Sequence, residues 1–168
     1  MNKIIVKPSL LFIAFVLSVI SFNNGFSQSS TFEEALKTAK EQDKKIIVDV
    51  YTDWCGWCKK MDRDAYSNSE IKEIIEDNFI FVKLNAESND IIHYKGNQYT
   101  CSELSAYFQA SGYPTTIFLT SDGNVIEYLY DKFKMNNLPG YYNASDFKKM
   151  LQYIKDEKYK DTDLSTIL

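Results

Sequence analysis

The sequence predicts an α/β domain: a mixed sheet of about four strands with helices on both faces. Three observations carry this. Lys45 to Tyr51 reads KIIVDVY, a β-branched run of buried-strand type. Amphipathic helical stretches alternate with further strand-like runs, an order that produces parallel pairing through crossovers. Finally, Asp122-Gly123 lies between two apolar runs, which reads as an antiparallel hairpin added to that sheet.

The elements follow in order. Thr31 to Asp43 is a helix, with Thr31 and Glu34 spaced as a capping box and Phe32, Ala35, Leu36 and Ala39 on one apolar face. The strand to Tyr51 leads into a second helix from the Cys55 region to Ala65. Ser69 to Asn78 is a short helix capped by Ser67 or Ser69, with Ile71, Ile74 and Ile75 inward. Phe79 to Leu84 is a strand. Asn85 to Gln98 is polar, carries Gly96, and reads as a loop or insertion. Thr100 to Gln109 is a helix, with Thr100 and Glu103 again matching a capping box. Thr115 to Thr120 and Val125 to Tyr130 are the two arms of the hairpin, Phe133 to Asn143 is an aromatic loop, and Ala144 to Glu157 is a final amphipathic helix.

Residues 1–27 have the form of a secretory signal peptide. Lys3 and Lys7 precede an eleven-residue apolar run, Leu10 to Ile20, and Gly25 and Ser27 are the small residues before a cleavage point at Gln28. The apolar run is short for a membrane span of about 20 residues, and an uncleaved anchor is the competing reading. Residues 28–168 are then one domain, placed in the periplasm or secreted. Net charge is −4, with 23 acidic against 19 basic residues, and loss of Lys3 and Lys7 would make the remainder more acidic still. That balance argues against nucleic acid and anionic membrane surfaces as partners.

The chemistry concentrates in Trp54-Cys55-Gly56-Trp57-Cys58-Lys59, at the junction of strand and helix. A cysteine at a helix start has its thiolate stabilised by backbone N–H groups and the helix dipole. That makes Cys55 the expected nucleophile and Cys58 its internal partner. Half of a zinc site is the alternative for a lone C-x-x-C, but only Cys101 and His93 remain as ligands, and they are not spaced as a second pair. No metal and no cofactor is expected. Outside the cytoplasm disulfides persist, yet a domain of this length folds without a staple, so the pair reads as a working redox couple.

Three segments together resemble the thioredoxin fold: VDVYTDWCGWCK (Val48 to Lys59), FVKLNAE (Phe81 to Glu87) and GYPTTIFLTSDGNVI (Gly112 to Ile126). The similarity is to exported thioredoxin-like proteins of the kind exemplified by the C-terminal periplasmic domain of the transmembrane reductase DsbD. Asp62, four residues after Cys58, matches an acid those domains carry. The resemblance implies that Cys55 attacks and Cys58 resolves, that Asp49 is the buried acid below the disulfide, that Lys83 pairs near it, and that Pro114 is the cis-proline facing the disulfide. This chain departs from thioredoxin in its Gly-Trp dipeptide, in the bulk of Tyr113 before Pro114, and in the length of Asn89 to Thr100.

The expected reaction is thiol–disulfide exchange, with substrate contact from Trp54, Gly56, Trp57, Tyr113 and Pro114. Trp54 is expected beside the disulfide and Trp57 exposed, with both as ordinary surface aromatics the alternative. Desolvation on a strand should raise the pKa of Asp49 and suit it to accept a proton from Cys58; a purely structural pairing with Lys83 is the alternative. Asp62 either faces the cysteines and opposes their ionisation, or lies on a solvated helix face. Cys101 reads as a bystander thiol, with a third redox cysteine as the sharper option. His93 reads as solvated, and Tyr128, Tyr130, Tyr141 and Tyr142 as packing of the hairpin and last helix, with a peptide-binding groove as the sharper option. The expected function is a protein-disulfide reductase, with an oxidase, an isomerase or a binding module holding a static disulfide as alternatives. Its expected partners are disulfide-containing exported proteins and a membrane electron donor, and its expected state is a monomer.

Overall fold

The computed structural model describes residues 31–168. The signal-peptide expectation falls on residues 1–27 and lies outside them. Among the described residues no helix is long and apolar enough to cross a membrane.

The first helix, α1 (Phe32–Gln42), starts with the expected capping box: the Thr31 hydroxyl accepts from the Glu34 amide and the Glu34 carboxylate accepts from the Thr31 amide. It ends where Asp43 turns left-handed. Strand β1 (Lys45–Tyr51) follows, buried at its five central positions. It is an interior strand of a four-stranded sheet ordered β2-β1-β5-β8, where β8 is Leu138–Pro139, and it runs parallel to β2 (Phe79–Asn85) and antiparallel to β5 (Thr115–Leu119). A buried run of this kind is what a strand covered on both faces requires.

Alternation along β1 sends successive side chains to opposite layers. Ile46, Val48 and Val50 join Phe32, Ala35, Leu104 and Phe108, in the layer formed with α1 and α4 (Cys101–Tyr107). Ile47 joins Met61, Tyr66, Phe118, Phe147 and Met150, in the layer formed with α2 (Gly56–Met61), α3 (Ser69–Asn78) and α5 (Ala144–Lys155). Asp49 has the parity of Ile47. The backbone therefore aims this carboxyl into the layer that contains the helix of the cysteine pair.

Several details differ from the sequence reading. The helix after the cysteine pair changes pitch, α2 passing into a π-helical turn at Asp62–Tyr66. Helix α3 is capped by Asn68, whose side-chain oxygen accepts from the Glu70 and Ile71 amides, and not by Ser67 or Ser69. The segment read as a loop holds a hairpin, β3 (Ile91–Tyr94) and β4 (Asn97–Thr100), turned by Lys95 and Gly96, both at positive φ. Ile92 and Tyr94 face inward and Ile91 and His93 outward, so the hairpin covers α1 with one side.

The Asp122-Gly123 turn forms as expected, with Gly123 at φ +75 and in close approach to Leu36. Its second arm does not continue along the sheet: only Leu119 and Val125 bridge. The chain instead peels away and pairs β6 (Tyr128–Tyr130) with β7 (Phe133–Met135). Asp131 and Lys132, both at positive φ, make that turn, and the Asp163 carboxylate accepts from both their amides at 3.0 and 2.7 Å. The sheet edge is taken by β8 (Leu138–Pro139), which pairs with Thr115 and Thr116. Proline fits there because an edge strand needs no outward donor.

Candidate active site

Cys55 is the N-cap of α2. Its sulfur accepts from the Cys58 amide at 3.0 Å, and the two sulfurs form a disulfide with Cα atoms 5.3 Å apart. Strand β1 delivers this cap: Thr52 to Trp54 turn the chain, Cys55 N–H donating to the Thr52 carbonyl, and the helix begins at Gly56. Both cysteines are buried. Their flanking indoles are not: Trp54 is 68% and Trp57 59% exposed.

Two aromatic pairs frame the disulfide. Trp54 meets Tyr113 edge-on at 6.2 Å, while its indole N–H donates to Glu87 at 2.8 Å. Tyr113 precedes Pro114 through a cis peptide bond at the start of β5. Across the site Trp57 packs on Tyr141 at 5.5 Å, and Tyr141 donates its hydroxyl to Asp64 at 2.8 Å, with Lys60 over its ring. Glu87 was not visible as a site residue in the sequence, because it arrives from a loop; Tyr141, read mainly as packing, sits beside Trp57 as the groove alternative had it.

A carboxylate–lysine–carboxylate chain lies in the same layer. Asp49, 2% exposed, has Oδ2 3.4 Å from the Lys83 ammonium. Lys83 stands directly opposite it in the β1–β2 register, but grips Asp62 more closely, at 2.7 and 2.9 Å. Asp62 is half-buried in the π-helical turn, so it is neither a free surface acid nor simply aimed at the cysteines. Burial pushes the Asp49 carboxyl from 3.8 up to about 6, Lys83 opposing and the Asp62 charge adding to the rise. Burial also works against the Lys83 charge, but the two acids outweigh it and hold its pKa above the usual lysine value.

The remaining thiol lies elsewhere. Cys101 starts α4 within the layer opposite Asp49, and burial pushes its thiol up, with Ser88 only partly opposing. His93 sits exposed on β3, between Glu33 and Gln98. Tyr128 is core, its hydroxyl on the Asn137 carbonyl. Tyr130 and Tyr142 pack against the same layer, whereas Tyr141 extends to the site.

A sheet ordered in this way, a cis-proline strand start and a C-x-x-C disulfide capping a helix define a thioredoxin-fold disulfide oxidoreductase. The comparisons agree. A family model described as "Thioredox_DsbH: Protein of unknown function, DUF255" matches residues 22–166, and the chain belongs to this thioredoxin-like family. A protein disulfide-isomerase of Schizosaccharomyces pombe is 24% identical over 150 residues, 89% of this chain but only 35% of that protein. Among solved structures, "DsbH Oxidoreductase" has a TM-score of 0.54 at 21% identity, covering 77% of this chain and 84% of its own. The oxidised C-terminal domain of DsbD from Neisseria meningitidis has a TM-score of 0.51 at 20% identity, covering 80% of this chain and 97% of its own.

Proposed function

We propose that this protein is an exported protein-disulfide reductase. The observation that carries the reading is the placement of Cys55 at the helix cap with Cys58 one turn inside, over a layer that holds a buried carboxyl whose pKa burial pushes up to about 6. In the dithiol form the Cys55 thiolate attacks a substrate disulfide. One new S–S bond joins it to the substrate, and the other substrate sulfur leaves as a thiolate and takes a proton. Cys58 then gives its proton to Asp49, directly or through water, and attacks the Cys55 sulfur. The Cys55–Cys58 bond closes, and the second substrate sulfur departs with a proton returned from the medium or from Asp49. Two electrons pass from the enzyme dithiol to the substrate, and a donor must return them.

The reducing direction is supported by Asp49 and Asp62. Negative charge in the layer beneath the pair destabilises a thiolate, and a very acidic thiol is what makes a strong oxidant. The substrate surface is Trp54, Gly56, Trp57, Tyr113 and Pro114, on which an extended segment flanking a disulfide can lie. Residues 1–27 serve as the export signal and residues 28–168 act as one monomeric domain in the periplasm or outside the cell. There its substrates are exported disulfide proteins, and its electrons come from a membrane donor.

Turbidimetric insulin reduction by dithiothreitol tests the activity. The protein should accelerate it, and Cys55→Ser should abolish the acceleration. No acceleration by the intact pair would return the chain to a binding module with a static disulfide.

A further inference from the structure

Four buried side-chain oxygens among the described residues have no well-aligned hydrogen-bond partner: Asp49 Oδ1, Thr52 Oγ1, the Tyr66 hydroxyl and Thr116 Oγ1. Orphaned buried oxygens are uncommon and call for a reason. Three of these converge. Asp49 and Thr116 are opposite one another across the β1–β5 pairing. Thr116 has the parity of Phe118, and Asp49 that of Ile47, so both face the layer that contains Tyr66.

Tyr66 differs from the other buried tyrosines. The hydroxyls of Tyr94, Tyr128 and Tyr153 each donate to a backbone carbonyl, of Gly123, Asn137 and Thr162 respectively. The Tyr66 hydroxyl has no such partner and reaches two side chains instead. It is near enough to Asp49 to favour the ionised carboxyl, and near enough to Thr116 to be influenced by it, although neither contact closes to a well-aligned bond. Its ring is fixed by Phe81 at 4.9 Å and Phe147 at 5.2 Å. Burial first, and the Asp49 charge after it, push the phenol well above its ordinary value, so it remains a donor. Lys83 is on Oδ2 of Asp49, and Oδ1 is the carboxyl oxygen left without a partner.

We propose that Tyr66 is a positioning residue for Asp49: its phenol, backed by the Thr116 hydroxyl, donates to Oδ1 of the ionised carboxyl and holds it for proton exchange with Cys58. The exchange with Cys58 rests on the reductase chemistry above; the hold on Asp49 does not. The other charged or titratable groups acting on this carboxyl are Lys83 from β2, Asp62 from the π-helical turn and Tyr51 on β1. Tyr66→Phe alters none of them and keeps both ring contacts.

The test is a carbon-13 carboxyl titration of Asp49 by NMR in the oxidised protein. Losing a hydrogen bond to a charged group should raise the Asp49 midpoint by about one pH unit in Tyr66→Phe. Thr116→Val should raise it by less, and that variant carries the test if Tyr66→Phe does not fold. A midpoint that stays in place in a folded variant would reduce Tyr66 to packing. Because the readout is a titration and not turnover, it stands even if insulin reduction fails.

Discussion

Asp49→Asn should make the oxidised protein more stable at pH 8, against the usual expectation for losing a partner of a buried lysine. The carboxyl is 2% exposed and its pKa rises from 3.8 to about 6 on folding, chiefly by desolvation. A folded pKa above the unfolded one means that folding favours the protonated acid. Above pH 6 both states are ionised, and the folded state bears the full cost of the buried charge. The shift of about two units corresponds to about 3 kcal/mol. Between pH 6 and 3.8 the cost falls as the folded state takes up its proton, and below 3.8 it is gone. Asparagine has the same shape without the charge, and Lys83 keeps its closer contacts to Asp62. Urea unfolding of both proteins should therefore show the variant ahead by about 1–3 kcal/mol at pH 8, the lead shrinking to nothing near pH 4. A variant less stable than the parent at pH 8, or a difference independent of pH, would refute the reasoning, because either result means that the carboxylate stabilises the fold.

Further expectations concern the pair and its surroundings. Brief alkylation of the reduced protein at mildly acidic pH, read by mass spectrometry, should label Cys55 before Cys58 and Cys101, since Cys101 is held protonated by burial. Cys58→Ser should accumulate mixed disulfides with substrate, visible on non-reducing gels, because the resolving attack is missing. Asp62→Asn should lower the Asp49 midpoint, measured by carboxyl NMR, since it removes a neighbouring negative charge and frees Lys83 for Asp49. At neutral pH the same variant should make Cys55 more reactive toward iodoacetamide.

How much was legible in the sequence depended on whether a signal was local. The capping boxes at Thr31 and Thr100, the buried run of β1 and the Asp122-Gly123 turn are short patterns, and each formed where it was read. The two missed hairpins turn on Lys95-Gly96 and on Asp131-Lys132. Three of those four residues are not glycine yet adopt positive φ, an arrangement that local chemistry does not announce. Val125 to Tyr130 has the propensity of a sheet strand, but it lost the edge position to Leu138–Pro139, a competition decided by tertiary packing. At the site, the C-x-x-C cap and the depth of Asp49 followed from one segment. The preference of Lys83 for Asp62 did not, because it depends on the π-helical turn that brings Asp62 over β2. Tyr66 and Thr116 were hidden for the same reason, as they meet Asp49 only once β5 and that turn are in place.

The central claim is that Cys55 and Cys58 form a redox couple of reducing poise, and its most direct test is their equilibrium potential against glutathione. The account predicts a value near that of thioredoxin, about −270 mV. A value near that of DsbA, about −120 mV, would contradict it and make the protein a disulfide donor; the gap of about 150 mV between the two is about 7 kcal/mol, far larger than the error of such a titration.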